Sequence, residues 1–391
     1  MRITALAVCA TCLLTIISCS SESSENNTDT TQSNYELALV DSLIVPVLET
    51  LQITDYNAEK GKFLAYGTST KTCMEIDWEG NVLKSIDLTG EGPGHFGQGM
   101  SALGYLGNNI VIEGAGAYFF YDADWQYMER LTPGSGYIPL KYIQVRPNVV
   151  EINGVNTVIK PKDQSYFGNI KLKEDHFNTA MMLEAFTAKS TEPTELLAYP
   201  DNSIYKTSDL YYSSHEPRIS YNKSQTVLML ALPLEPKLYK YKLTDNGFKL
   251  EDSLNLDLRK FRAPQGIPYE AQHENSLKGF GRSNELNYVY SNLNSSILDV
   301  SSYGQITMVK YKTGATEPTS ITQYQEALKF ARLESKTWHS FFIQDKKVLE
   351  SAIDLGLYVR LNETQFLSPY VNEDEELDYN KFYIYELKKI E

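Results

Sequence analysis

Residues Phe63–Phe96 read FLAYGTSTKTCMEIDWEGNVLKSIDLTGEGPGHF. The stretch divides into three short strands and a turn. Phe63–Gly67 and Thr72–Asp77 are rich in apolar and aromatic residues. Glu79-Gly80-Asn81 reverses the chain, and Val82–Leu88 returns. Gly90-Glu91-Gly92-Pro93-Gly94-His95-Phe96 then punctuates, because glycine permits φ > 0 and proline stiffens a turn. The pattern is that of one blade of a β-propeller and its exit loop.

Working outward, the theme repeats. Ser101–Leu106, Asn109–Glu113, Ala117–Asp122 and Gln126–Leu131 form a second set of strands. Phe119-Phe120-Tyr121-Asp122-Ala123-Asp124-Trp125 parallels Met74-Glu75-Ile76-Asp77-Trp78. Asp77 and Asp122 stand 45 residues apart, within the propeller blade period of about 40 to 50 residues. Val149–Ile152 and Val155–Lys160 flank Asn153-Gly154, a strong hairpin dipeptide. His176–Lys189 fits a short helix or a long strand.

Ile219–Tyr221, Thr226–Leu232, Lys237–Leu243 and Phe248–Leu256 alternate as strands. So do Asn287–Ser291, Ser296–Val300, Gln305–Lys312, Trp338–Gln344, Val348–Ser351 and Phe366–Tyr370. Ile321–Glu334 is the best helix, with Ser320 as its cap and Tyr324, Leu328 and Ala331 on one face. The apolar Leu37–Thr54 supplies an early strand near a sheet edge, and Lys381–Lys388 supplies the last. These two ends are placed to share one blade and close the ring, since an open propeller leaves unpaired edges.

Length chooses among the all-β folds. A sandwich of about 100 residues leaves most of these 391 residues unexplained, whereas a propeller absorbs them by repetition. Two sandwiches in tandem are the rival, but no linker divides the body. The expectation is an all-β β-propeller over 35–391 with a short helical insertion.

The first 34 residues read differently. Arg2 precedes an apolar run, Ile3–Ile17, too short to span a bilayer comfortably. The run ends Ile16-Ile17-Ser18-Cys19 and passes into SSESSENNTDTTQSN, Ser20–Asn34, which has no apolar residue to pack. This start resembles a bacterial lipoprotein signal. The resemblance implies cleavage after Ser18 and a lipid on Cys19, with 19–34 as a flexible tether. An ordinary signal peptide cut nearby is the alternative. The Ser and Glu content of the tether resembles surface-export signals of Bacteroidetes lipoproteins; a plain linker explains it equally.

Leu88-Thr89-Gly90-Glu91-Gly92-Pro93-Gly94-His95-Phe96 resembles the G-x-G-P-G-x-F segment of the six-bladed β-propeller lipoproteins of Bacteroidetes, relatives of NHL-type propellers. The resemblance covers roughly residues 60–130 beside the lipoprotein start, and only the architecture elsewhere. It implies a six-bladed β-propeller in an outer-membrane, lipid-anchored envelope protein. The segment itself reads as structural, with Phe96 as a plug between blades.

Charge and chemistry exclude more than they identify. The net charge is −14, and an acidic chain without a basic stripe argues against a nucleic-acid partner. Of four cysteines, only Cys73 lies in the body, so no intramolecular disulfide or cysteine metal knuckle forms there; Cys73 reads as a buried apolar thiol. The five histidines make no H-E-x-x-H, and G-x-S-x-G and Walker loops are absent. Gly279-Phe280-Gly281-Arg282 is too short for a dinucleotide fingerprint. Asp122-Ala123-Asp124 lacks the glycine and distal glutamate of a calcium loop, and Asn372–Glu376 reads as a solvated acidic run. No cofactor and no metal are expected.

The remaining candidates are polar residues beside strand starts: His215 and Arg218 in Ser214–Arg218, Arg282, and His339. They could converge on the central channel, where propellers present ligands. The expected function is a lipid-anchored binding protein that captures a glycan, peptide or partner protein at the membrane surface. The alternative is a hydrolase or lyase with its site in the channel, because a fold hosts many functions.

Overall fold

The computed structural model describes residues 33–114, 116–132, 147–162, 172–187, 190, 192–212, 214–245, 247–273, 285–315, 324–371 and 377–390. The signal segment, Cys19, nearly all of the tether, Arg282, Ser320 and 372–376 lie outside them.

Six four-stranded antiparallel sheets follow one another along the chain. The first blade is Leu51–Asn57, Lys62–Gly67, Thr72–Ile76 and Val82–Asp87. The second is Met100–Leu106, Asn109–Gly114, Ala117–Tyr121 and Tyr127–Leu131. Val149–Ile152, Val155–Pro161, Met181–Phe186 and Thr194–Ala198 make the third. Arg218–Asn222, Val227–Ala231, Lys237–Thr244 and Gly247–Asn255 make the fourth. The fifth is Ser296–Tyr303, Ile306–Lys312, Thr337–Ile343 and Lys346–Ser351. The sixth takes Val359–Arg360, Gln365–Pro369 and Asn380–Lys389 from the C-terminal end, and Tyr35–Val45 from the N-terminal end.

The burial pattern follows from this stacking. Middle strands are covered on both faces by neighbouring blades, so Ala117–Tyr121 and Val227–Ala231 are buried at every residue. Outer strands face water, and Val82–Asp87 has no buried residue. Apolar clusters fill the seams. Tyr66, Cys73, Phe96 and Leu103 join blades one and two. Val227, Leu238, Ile297 and Val309 join four and five. Leu43, Ile53, Val359 and Phe382 join six and one.

That last seam is the ring closure. Tyr35 pairs with Lys389 and Val45 with Asn380 in one antiparallel ladder, broken by a register shift between Leu39 and Asp41. Leu37–Thr54 is therefore two strands in two blades, not one. Pro46 lacks the N–H to continue the first, and Leu51–Asn57 starts the next blade as its inner strand. Asn380 holds the junction: its amide nitrogen donates to Val47 O and Glu49 O, and its side-chain oxygen accepts from Leu51 N.

The glycine turn folds back on itself. Phe96 N donates to Leu88 O at 3.0 Å, and Gly90 bridges Gly97. Gly92 and Gly94 have φ of 130° and 75°. Phe96 is 1% exposed and packs in the seam of blades one and two, the plug position expected of it. The Asp77/Asp122 repeat is structural as well: each carboxylate accepts from the backbone N–H four residues on, of Asn81 and Gln126. Asp122 thus caps a blade turn.

Helix enters as insertions. Tyr324–Glu334 realises the expected helix within the described residues, between the second and third strands of blade five. Asn287–Ser291 is not a strand but part of the helix Glu285–Leu293. Val289 and Leu293, one helical turn apart, pack on Ala327 and Ala331 of the other helix, and that tertiary contact overrides the β-prone Tyr-Val-Tyr. His176–Thr179 is one helical turn, followed by the strand Met181–Phe186, so both readings of that segment hold in part. No helix among the described residues is long and apolar enough to cross a membrane.

Candidate functional site

The inner strands of all blades begin on the same face of the ring. The inner strands of three successive blades carry polar groups at or near this end. Arg218 opens the inner strand of blade four. Asp299 lies in the inner strand of blade five, just past a register shift between Ile297 and Asp299; such a bulge re-aims a side chain. Tyr358 directly precedes the inner strand of blade six. Its hydroxyl donates to Asp299 Oδ2 at 2.7 Å. Arg218 Nη1 stands 3.8 Å from Glu216 Oε1, and its buried Nε finds no acceptor among the described residues.

The electrostatics mark a recess. Burial pushes the Asp299 carboxyl above its ordinary value, against the Tyr358 hydrogen bond and the charges of Arg218 and Lys310. Burial likewise pushes the Arg218 guanidinium down, against Asp299. Yet Asp299 is only partly buried by surface, and the Arg218 side chain keeps 33% of its surface exposed. Arg218 and Asp299 thus keep one side open to solvent while protein surrounds the rest, and this partly open setting is the recess. Tyr358 is held neutral, its hydroxyl raised well above the ordinary value by burial and then by Asp299.

A second layer stands behind. Lys310, the strand partner of both Asp299 and His339, donates to Gly356 O at 2.7 Å and pairs with Asp354 at 3.5 Å. The His339 ring lies edge-on to Tyr358, 6.4 Å between centroids. Burial, then Lys310, lowers its pKa to about 4. Neither ring nitrogen completes a well-formed hydrogen bond among the described residues, although the Ile353 backbone lies near enough to favour the protonated ring.

Of the residues expected from the sequence, Arg218 lies in the recess. His339 does not open an inner strand: it sits on the third strand of blade five, 0% exposed, behind Tyr358. His215 is 8% exposed, with its ring edge-on to Phe177 at 5.6 Å and Nδ1 3.3 Å from Tyr212 O. Its setting is an aromatic core with Tyr199 and Tyr205. Asp299 and Tyr358 escaped the sequence reading. The available signal was a lone carboxylate inside the otherwise uncharged strand Ser296–Tyr303. Among the described residues, no group of three or more His, Cys, Asp or Glu is placed to hold a metal ion. Cys73 is fully buried, its thiol pushed far up by burial, and is therefore inert.

No protein-family model matches the chain, and no curated protein matches it. Solved structures do. A member of the DUF4221 family from Bacteroides vulgatus superposes with a TM-score of 0.62 at 11% identity, over 92% of this chain and 99% of that one. A protein from Bacteroides fragilis, described as a candidate exported protein, superposes with a TM-score of 0.53 at 13% identity, over 93% and 98%. The resemblance to propeller proteins of Bacteroidetes holds, and at these identities it carries the fold.

Proposed function

We propose that this chain is an exported binding protein, lipid-anchored through Cys19 to the outer membrane, whose propeller captures a ligand in the recess of Arg218, Asp299 and Tyr358. The hydrogen bond from Tyr358 to Asp299 across two blades, with Arg218 at the head of the inner strand of the blade before them, is the observation that carries it. A site shared by separate blades is held by the whole ring, which is the preorganisation that binding favours. A glycan or peptide is the class of ligand, since both present hydroxyl, amide or carboxyl groups to a guanidinium, a carboxyl and a tyrosine. The signal-like start, the polar tether and the structural likeness to a Bacteroides protein described as exported support an envelope location. The tether composition supports a surface-facing one.

The test has two arms. Cys19→Ala is expected to leave the protein unlipidated and free of membranes; persistence on membranes after a high-salt wash refutes the anchor. Oligosaccharide and peptide panels are expected to yield ligands whose binding falls in Asp299→Asn and Tyr358→Phe. A panel in which every ligand ignores both substitutions refutes the recess.

One observation favours a second reading, a hydrolase or lyase. A carboxyl raised by burial in an open recess is the state a general acid needs. Turnover of a captured glycan that stops in Asp299→Asn would establish it.

A further inference from the structure

The recess also constrains the charge of its occupant. Arg218 carries five N–H donors in a planar fork, in surroundings that desolvate it. Its Nε–H is shut off from solvent and meets no acceptor among the described residues; its ion-pair contact, Nη1 to Glu216 Oε1, is long at 3.8 Å. Asp299 does not fill the fork. It feels the Arg218 charge but makes no ion pair with it within 4 Å among the described residues, and its Oδ2 is taken by Tyr358. A guanidinium so placed lacks a matched acceptor among the described residues, and its exposed third is where one can arrive.

We infer that the recess takes a small-molecule carboxylate of single negative charge, seated on the open side of Arg218; this rests on the binding reading above. The planar fork fits carboxylate and phosphate alike, and the neighbouring charges separate the two. Asp299, Glu216 and Asp354 are acidic. Of the other cations among the described residues, Lys310 is engaged by Gly356 O and Asp354, and Arg360, whose charge reaches Tyr358, donates to Ser301 O, Ile306 O and Glu363 O. A phosphate dianion meets twice the repulsion from these carboxyls that a carboxylate meets, with one available cation to answer it.

The intact protein is titrated calorimetrically with D-glucuronate and with the dipeptide Ala-Ala. Each is compared with its uncharged methyl ester, and inorganic phosphate is run alongside. At least one acid is expected to bind, and which one binds identifies the source of the carboxylate. Its ester is expected to bind about tenfold to a hundredfold more weakly, the worth of a charge-assisted hydrogen bond, and phosphate more weakly than the acid. Arg218→Gln is expected to abolish the preference of acid over ester, and Arg218→Lys to keep only part of it. The acid–ester comparison on the unaltered protein needs no variant to fold. Equal binding of acid and ester, tighter binding of phosphate, or an unchanged preference in folded Arg218→Gln overturns the inference. If the esters bind and are lost in Asp299→Asn, the carboxylate inference falls while the binding reading stands. If nothing binds, both fall.

Discussion

The Tyr358 hydroxyl donates to Asp299 Oδ2 at 2.7 Å across the seam between blades six and five. The bond spans 59 residues of chain and ties the entrance of one inner strand to the middle of its neighbour. It is also the hydrogen bond that most opposes the effect of burial on the Asp299 carboxyl.

Tyr358→Phe removes that donor while keeping the ring against Phe366 and His339. A loss of about 1 kcal/mol is expected, the net worth of a hydrogen bond whose acceptor stays partly open to water. Because the Asp299 value is raised in the fold, its proton stabilises the native state below the unfolded carboxyl value, about 3.9. That contribution is lost as pH rises through the folded value. Asp299→Asn should flatten this decline. Urea unfolding from pH 4 to 7 measures both, and a decline unchanged in Asp299→Asn contradicts the assignment.

His339 has the opposite sign. Its pKa falls from 6.5 to about 4 on folding, so it is buried neutral and the unfolded chain takes up its proton first. Stability is complete above about 6.5 and is lost as pH falls toward about 4, by about 3 kcal/mol at full protonation. Lys310 and Asp354 are the charges that face it. His339→Phe fills the site with a ring that needs no partner and should remove this acid-side loss. The same acid dependence in the variant would place it on another group.

In the glycine turn, Gly92→Ala and Gly94→Ala should each cost about 1 kcal/mol or more, since both require φ > 0. Gly94 should cost more: a Cβ there comes within 2.8 Å of Tyr127, whereas at Gly92 the nearest neighbour is His95 Nδ1 at 3.6 Å. Thermal melts rank the two, and a larger loss at Gly92 contradicts the packing argument.

Ring closure makes the last strand structural. Deleting Phe382–Glu391 strips most of the partner of Tyr35–Val45 and part of the seam to blade one, so the protein should unfold or aggregate. Deleting Ser20–Thr31 should leave the melting temperature unchanged. Asn380→Ala, which loses three hydrogen bonds to Val47, Glu49 and Leu51, should fall between them. A stable, monomeric C-terminal deletion refutes the closure.

The sequence by itself determined what is local. Short apolar strands, Asn153-Gly154 at φ of 51° and 76°, the Asp77/Asp122 turns and the glycine loop are dictated within a few residues by sterics and side-chain capping, so they were legible. The closing pair of chain ends was legible too, because a propeller has one economical way to remove its open edge. Tertiary structure decided the rest. Leu37–Thr54 splits between two blades because each half has a different partner. Glu285–Leu293 is helical because Ala327 and Ala331, 38 residues beyond Val289 and Leu293 respectively, offer it a seat. The recess was least legible: Arg218, Asp299 and Tyr358 lie 81 and 59 residues apart in sequence. Only the stacking of three blades brings them together, and burial, which no local pattern encodes, is the largest cause of the shifts in their proton affinities.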